Sequence, residues 1–298
     1  ISAKNQLKHD LAIIVAAVEY IPSIFHNALF EPDRCIRVTF GVSLSLKRVV
    51  LYQYTKILQL IGGRYMLVAG LAFLIFYVLL RKSLRNRKIQ ERFPKWNDYL
   101  REIGYSVITI SIFALVPLIF IGNPNVSKYT MRYEQIDQMG WFYFVAVFPL
   151  LLFIHDTYFY WTHRLMHHPR LFKVMHLVHH KSTNPSPWAA YAFHPLEGIV
   201  EAGILIVFLF LLPLHKLHFF IFFFFMIVYN VYGHLGWELY PAGFHRTRIG
   251  RWINTSVAHN QHHRYFKGNY GLYFLCWDRW MGTLRRDYSE HFEQARPQ

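Results

Sequence analysis

The sequence predicts an all-α integral membrane protein, with about four to six membrane helices and a cytosolic helical cap carrying a histidine-rich dimetal site. Three observations predict it. Charged residues make up 16% of the chain and hydrophobic residues 54%, whereas soluble domains carry about 25% charged residues. Several apolar runs approach the roughly 20 residues that a helix needs to span a bilayer. Fifteen of the 18 histidines fall between positions 155 and 263, amid those runs.

The elements follow in order. The chain begins at Ile1 rather than Met, which reads as a processed or trimmed chain, and shows no signal-peptide pattern. Residues 11–30 are apolar but include Glu19, Pro22 and His26, leaving a spanning and an interfacial placement both open. Residues 65–80 form a clear span that ends at Arg81. Residues 105–122 form a second, with Pro117 expected to kink it. Residues 141–154 begin a third that is expected to stay helical past Asp156. Residues 199–212 and 219–231 are shorter and read as a tilted hairpin around 213–217. The chain thus divides into an N-terminal membrane region (1–140), a histidine-box catalytic region (141–288) and a polar tail (289–298), within one membrane domain.

Charge orients these spans. The linker 81–95 holds seven Lys/Arg against one Glu, which places it on the cytosolic side. The linker 123–140 holds two basic and two acidic residues, as expected for the opposite side. Threading the spans between these assignments brings all the histidine clusters to the cytosolic face. The net charge of +15 therefore flanks membrane segments and does not indicate nucleic-acid binding. A basic face suits anionic lipid headgroups or an acidic electron-transfer partner. Two distant cysteines, Cys35 and Cys276, make neither a disulfide framework nor a thiolate metal site.

The chemistry lies in three clusters: His163, His167 and His168; His176, His179 and His180; His259, His262 and His263. Residues three and four apart share a helix face, so each cluster can aim its imidazoles at one metal. With His168 set aside, eight imidazoles exceed the needs of one ion and fit two. His234, at the end of the last span, is a candidate ninth ligand. His168, next to Pro169, reads as surface or as supporting the ligands; His194 reads as supporting or as part of a substrate pocket. His155 points elsewhere on its helix. Asp156, Glu197, Glu238 and Asp278 are candidates for orienting histidine N–H groups, or equally for capping helices and pairing with Arg164 or Arg279. Trp188, Tyr191 and Phe193 are candidates for lining a lipid channel. All-imidazole sites suit Zn, Cu, Fe or Ni; so many histidines at a membrane face favour paired iron and redox chemistry on a lipid, and zinc remains open. There is no HExxH motif for a zinc hydrolase, and ligands at a membrane edge do not make a transport path.

The residues 156–283 resemble the fatty acid hydroxylase superfamily of membrane di-iron enzymes. Beyond the histidines, the resemblance rests on 161–164 (WTHR), 184–187 (NPSP), 192–198 (AFHPLEG), 213–216 (PLHK), 269–274 (NYGLYF) and 277–283 (WDRWMGT). The AFHPLEG and PLHK segments are most similar to the sterol C5-desaturase branch. The resemblance implies about four membrane helices under a cytosolic cap holding two Fe ions, with O2 as co-substrate. It implies His163, His167, His176, His179, His180, His259, His262 and His263 as ligands, and His234 as an additional one. It also implies an electron donor, cytochrome b5 or a ferredoxin with its reductase. The expected membrane is the endoplasmic reticulum if eukaryotic, or the inner membrane if bacterial. Desaturation of a sterol-like lipid is the favoured activity, and fatty-acyl or sphingoid hydroxylation the second. Zinc can substitute for iron in a purified sample.

Overall fold

The computed structural model describes residues 39–296, so the segment 11–30 lies outside the described residues. α1 (Thr39–Phe73) runs on into a π-helical stretch, Leu74–Leu79. α2 (Trp96–Phe120) and α3 (Gly140–Met166) follow; α3 carries helix past Asp156 to the first histidine cluster, as the sequence predicts. Two short helices, α4 (Pro169–Met175) and α5 (Leu177–His180), lead into α6 (Pro195–Leu211) and α7 (Lys216–Gly233). The chain closes with α8 (Ser256–Tyr265), α9 (Cys276–Trp280) and α10 (Tyr288–Ala295).

Among the described residues, four stretches are long and apolar enough to cross a membrane: Lys47–Leu79, Trp96–Phe120, Gly140–Met166 and Lys216–Gly233. The first half of the expected hairpin, α6, with 17 residues, is not among these four. The strand Arg132–Tyr133 pairs in parallel with Leu214–His215, tying the near-neutral linker to the α6–α7 turn at one end of the bundle. At the other end the basic linker packs on the histidine-bearing segments. Ile89 N donates to Gly236 O at 2.9 Å, Gln90 Nε2 to Asn260 Oδ1 at 2.9 Å, and Lys88 Nζ to Asn184 Oδ1 at 3.1 Å. The histidine clusters and the linker 81–95 therefore share one end.

The segment Pro187–Tyr191 is buried among α1, α2 and α7. Buried backbone needs partners, and the surrounding helices provide them. Trp188 O accepts from the Tyr65 hydroxyl at 2.9 Å and the Ser106 hydroxyl at 3.0 Å, and Ala190 O from Asn230 Nδ2 at 2.8 Å.

One expectation is corrected. The segment 289–298, read as a polar tail, is for its described part a packed helix. Tyr288, Phe292 and Ala295 recur at i, i+4 and i+7 and bury against Val257 and Ala258 of α8. The polar residues between them had concealed this short stripe.

Candidate metal centre

Four helix ends deliver nine histidines to two adjoining groups. His163, His167, His176, His180 and His262 form one; His179, His234, His259 and His263 form the other. Within each group the ligand-type nitrogens lie within 4.8 Å of one another. The second and third clusters thus each split between the two groups, although the sequence allowed each to aim at a single metal. Adjacent helical residues point about 100° apart, so the pairs 179/180 and 262/263 divide between the groups. His180 and His262 serve the first; His179 and His263 serve the second. The i, i+4 pairs 176/180 and 259/263 stay together.

The geometry calls for cations. His262 Nδ1 donates to Gly268 O at 2.7 Å and His163 Nδ1 to Tyr270 O at 2.9 Å, which turns their Nε2 lone pairs inward. In the second group His234 Nδ1 donates to Asn230 O at 2.8 Å and His263 Nδ1 to Ser182 O at 2.9 Å. Their Nε2 atoms then face each other at 3.1 Å. Burial and the neighbouring imidazoles push His259, His262 and His263 well below the usual histidine range, holding these rings neutral. Neutral rings with Nδ1 protonated have no proton on Nε2, so the lone pairs repel unless a metal lies between them. In the first group the Nε2 atoms of His167, His180 and His262 sit 3.0–3.1 Å apart. His163 Nε2 and His176 Nε2 are buried with no hydrogen-bond partner. The residues fit two nitrogen-bound transition metals.

Of the four carboxylates expected to orient histidines, Glu197 contacts one. Its Oε1 accepts from His176 Nδ1 at 2.7 Å, and both side chains are 2% exposed. Such partners typically tune metal affinity 10- to 100-fold. Glu197→Gln is therefore expected to weaken metal retention by about tenfold or more, read as the chelator concentration that strips the protein.

The other three carboxylates do not orient histidines, because their oxygens go to backbone amides. Asp156 Oδ1 accepts from the amides of Leu272, Tyr273 and Phe274 at 3.1, 2.6 and 3.2 Å. Asp278 accepts from Tyr270 N and Gly271 N at 2.9 and 2.8 Å, and from the Thr283 hydroxyl at 2.7 Å. Both pin the loop whose Tyr270 carbonyl holds His163. Glu238 accepts from Val257 N at 3.1 Å in the first turn of α8, the helix bearing the third cluster. These residues set the position of the elements that carry the grouped histidines.

The orienting carbonyls of Ser182, Asn230, Gly268 and Tyr270 were missed, since a carbonyl leaves no residue-type signature. Gly268 alone gave a signal. It sits at φ +81°, and a Cβ there would meet Thr283 O at 2.6 Å, so glycine is required. His168 is exposed and caps α4, accepting weakly from Arg170 N at 3.4 Å, away from both groups. His194 caps α6, accepting from Leu196 N at 3.3 Å; it belongs to neither group. His155 is buried and meets the Tyr273 hydroxyl through Nδ1 at 2.9 Å.

An apolar cavity of about 450 Å³ adjoins the histidines. The Phe159 ring packs 5.0 Å from His163 of the first group, and the Phe193 ring 5.0 Å from His179 of the second. Both phenylalanines and Tyr191 line this cavity, whereas Trp188 does not. The Trp188 ring packs instead on Tyr65 and Phe73. From the histidines the cavity runs between the membrane-spanning helices to Ile121 and Lys216 near the far end.

The fatty acid hydroxylase family model matches residues 148–283, which include all nine histidines. The chain is 34% identical to the Delta(7)-sterol 5(6)-desaturase ERG3B of Gibberella zeae, over 89% of this chain and 81% of that protein. It is 30% identical to the lathosterol oxidase of Mus musculus, over 93% of this chain and 85% of that protein. It is also 30% identical to ERG3A of Gibberella zeae, another Delta(7)-sterol 5(6)-desaturase, over 92% of this chain and 74% of that protein. No solved structure matches the chain. Two histidine groups at one end of a membrane-helix bundle, the family match and relatives spanning nearly the whole chain converge: this protein belongs to the fatty acid hydroxylase family, in its sterol C5-desaturase branch.

Proposed function

We propose that this chain desaturates a sterol or sterol-like lipid, using O2 and electrons from an external donor. The observation that carries the reading is the apolar cavity that meets both histidine groups through Phe159 and Phe193. His163, His167, His176, His180 and His262 would hold one iron, and His179, His234, His259 and His263 the other. When bound, the iron pair supplies the oxidising power that removes hydrogen from an unactivated C–H bond. The balance is two lipid hydrogens, two external electrons and two protons against one O2, giving a double bond and two waters.

The chain's own residues bind, orient and exclude water. The apolar wall takes the lipid out of the bilayer without exposing it to solvent, and Phe159 and Phe193 form the surface between lipid and imidazoles. Holding one C–H bond near the metals is what selects the position of reaction. Zinc fits the same nitrogens and can replace iron in a purified sample. Because the seven basic residues of 81–95 lie at the histidine end, that end belongs on the cytosolic face. The membrane would be the endoplasmic reticulum in a eukaryote or the inner membrane in a bacterium. Cytochrome b5, or a ferredoxin with its reductase, would supply the electrons. The family match also supports a second reading, hydroxylation of a fatty-acyl or sphingoid lipid.

Mass spectrometry of lipids from cells expressing the protein distinguishes these readings. The expected product is a sterol lighter than its precursor by two hydrogens. A lipid heavier by one oxygen would make the protein a hydroxylase, and unchanged sterols would overturn the sterol reading.

A further inference from the structure

The cavity is not uniformly apolar. Arg64 of α1 and Tyr191 of the buried segment Pro187–Tyr191 both line it. Tyr191 is 1% exposed, and its hydroxyl has no hydrogen-bond partner. The Nε of Arg64 is also buried without a partner. The guanidinium lies 6.0 Å over the ring of Phe223, another wall residue, and acts electrostatically on the Tyr191 hydroxyl. Among the described residues no ion pair within 4.0 Å neutralises Arg64. A charged group inside a membrane bundle is costly and needs a reason. An unpartnered buried polar atom carries a further cost.

Packing does not supply that reason. The Tyr191 ring is already seated, stacked on Tyr65 at 5.2 Å and edge-on to Phe113 at 5.2 Å. A phenylalanine would fill the same place without the orphan. The hydroxyl and the guanidinium are therefore left for something that enters the cavity.

We propose that Arg64 and Tyr191 form a recognition point for the hydroxyl group of the lipid, which registers it against the histidine groups. A hydroxyl oxygen accepts from the Arg64 N–H, and the Tyr191 hydroxyl can donate to it or accept from it. Arg64 disfavours an ammonium group, and a neutral hydroxyl, the polar group that a sterol carries, enters the apolar cavity without burying a second charge. The register follows from the wall: the Tyr191 ring lies 6.4 Å from Phe193, and Phe193 lies 5.0 Å from His179. A hydroxyl held at Tyr191 thus fixes which carbon reaches the imidazoles. The inference rests on the reading of the cavity as a lipid site, and adds how that lipid is held.

The test measures binding to the full chain in detergent, with Arg64→Met and Tyr191→Phe as variants. The probes are two matched pairs: cholestanol with cholestane, and hexadecanol with hexadecane. Wild type is expected to prefer the alcohol of a pair by about tenfold, the effect of one hydrogen bond to a buried charged group. Both variants should lose that preference, binding the alcohol and the hydrocarbon of a pair about equally. Tyr191→Phe should also leave the lipid-free protein at least as heat-stable as wild type, because it removes only an orphan hydroxyl. Equal binding of alcohol and hydrocarbon by wild type, or an unchanged preference in both variants, would overturn the proposal. If the preference appears with hexadecanol while neither steroid binds, the recognition point stands and the sterol reading fails.

Discussion

His262→Ala and His179→Ala are each expected to abolish lipid oxidation while leaving membrane insertion intact. The two substitutions strike different groups. His262 Nε2 sits 3.1 Å from His167 Nε2 and 3.0 Å from His180 Nε2, and its removal takes one nitrogen from the five-histidine group. His179 belongs to the four-histidine group, where alanine leaves three nitrogens. Neither residue lies in a membrane-spanning stretch, so insertion does not depend on them. Loss of a partner one step removed from a metal costs about 10- to 100-fold, and loss of a ligand should exceed that. The check is product formation by mass spectrometry alongside membrane fractionation of each variant. Full activity in either would remove that histidine from the ligand set.

Asp156→Ala is expected to be the most destabilising change outside the histidines. One buried carboxylate oxygen accepts from three successive amides, Leu272 to Phe274. Alanine would leave three amide groups without their acceptor, at a cost of about 3–5 kcal/mol after local relaxation. The loop also carries Tyr270, whose carbonyl receives His163 Nδ1. Metal retention should therefore fall with stability, although Asp156 touches no cluster histidine. Thermal unfolding in detergent, with chelator titration on the same samples, measures both. A variant as stable as wild type would show that the loop holds its shape without the carboxylate.

Much of this was legible in the residues, for identifiable reasons. Apolar runs and their basic flanks encode membrane helices directly, because bilayer thickness fixes helix length. The candidate ligands stand out because so many imidazoles have no packing use beside lipid. What the spacing could not show is which group each histidine joins. The division of His179 from His180, and of His262 from His263, depends on where α5 and α8 meet in space. The carboxylates stand out as residues, but the sequence leaves two roles open for each, and the histidine-orienting one holds for Glu197 alone. Asp156, Glu238 and Asp278 act on backbone amides, and a sequence does not reveal which amides lie opposite a carboxylate. Arg64 was passed over because an arginine near a span's start reads as a flanking charge. Only the cavity shows it facing inward.

The most direct test of the central claim is the metal content of the full chain, purified after expression with ferrous iron and kept from chelators. Two metal ions per chain are expected in the wild type, and one in His179→Ala, because the five-histidine group keeps all its nitrogens. A single ion per wild-type chain, or two retained by His179→Ala, would contradict the two-group assignment on which the account depends.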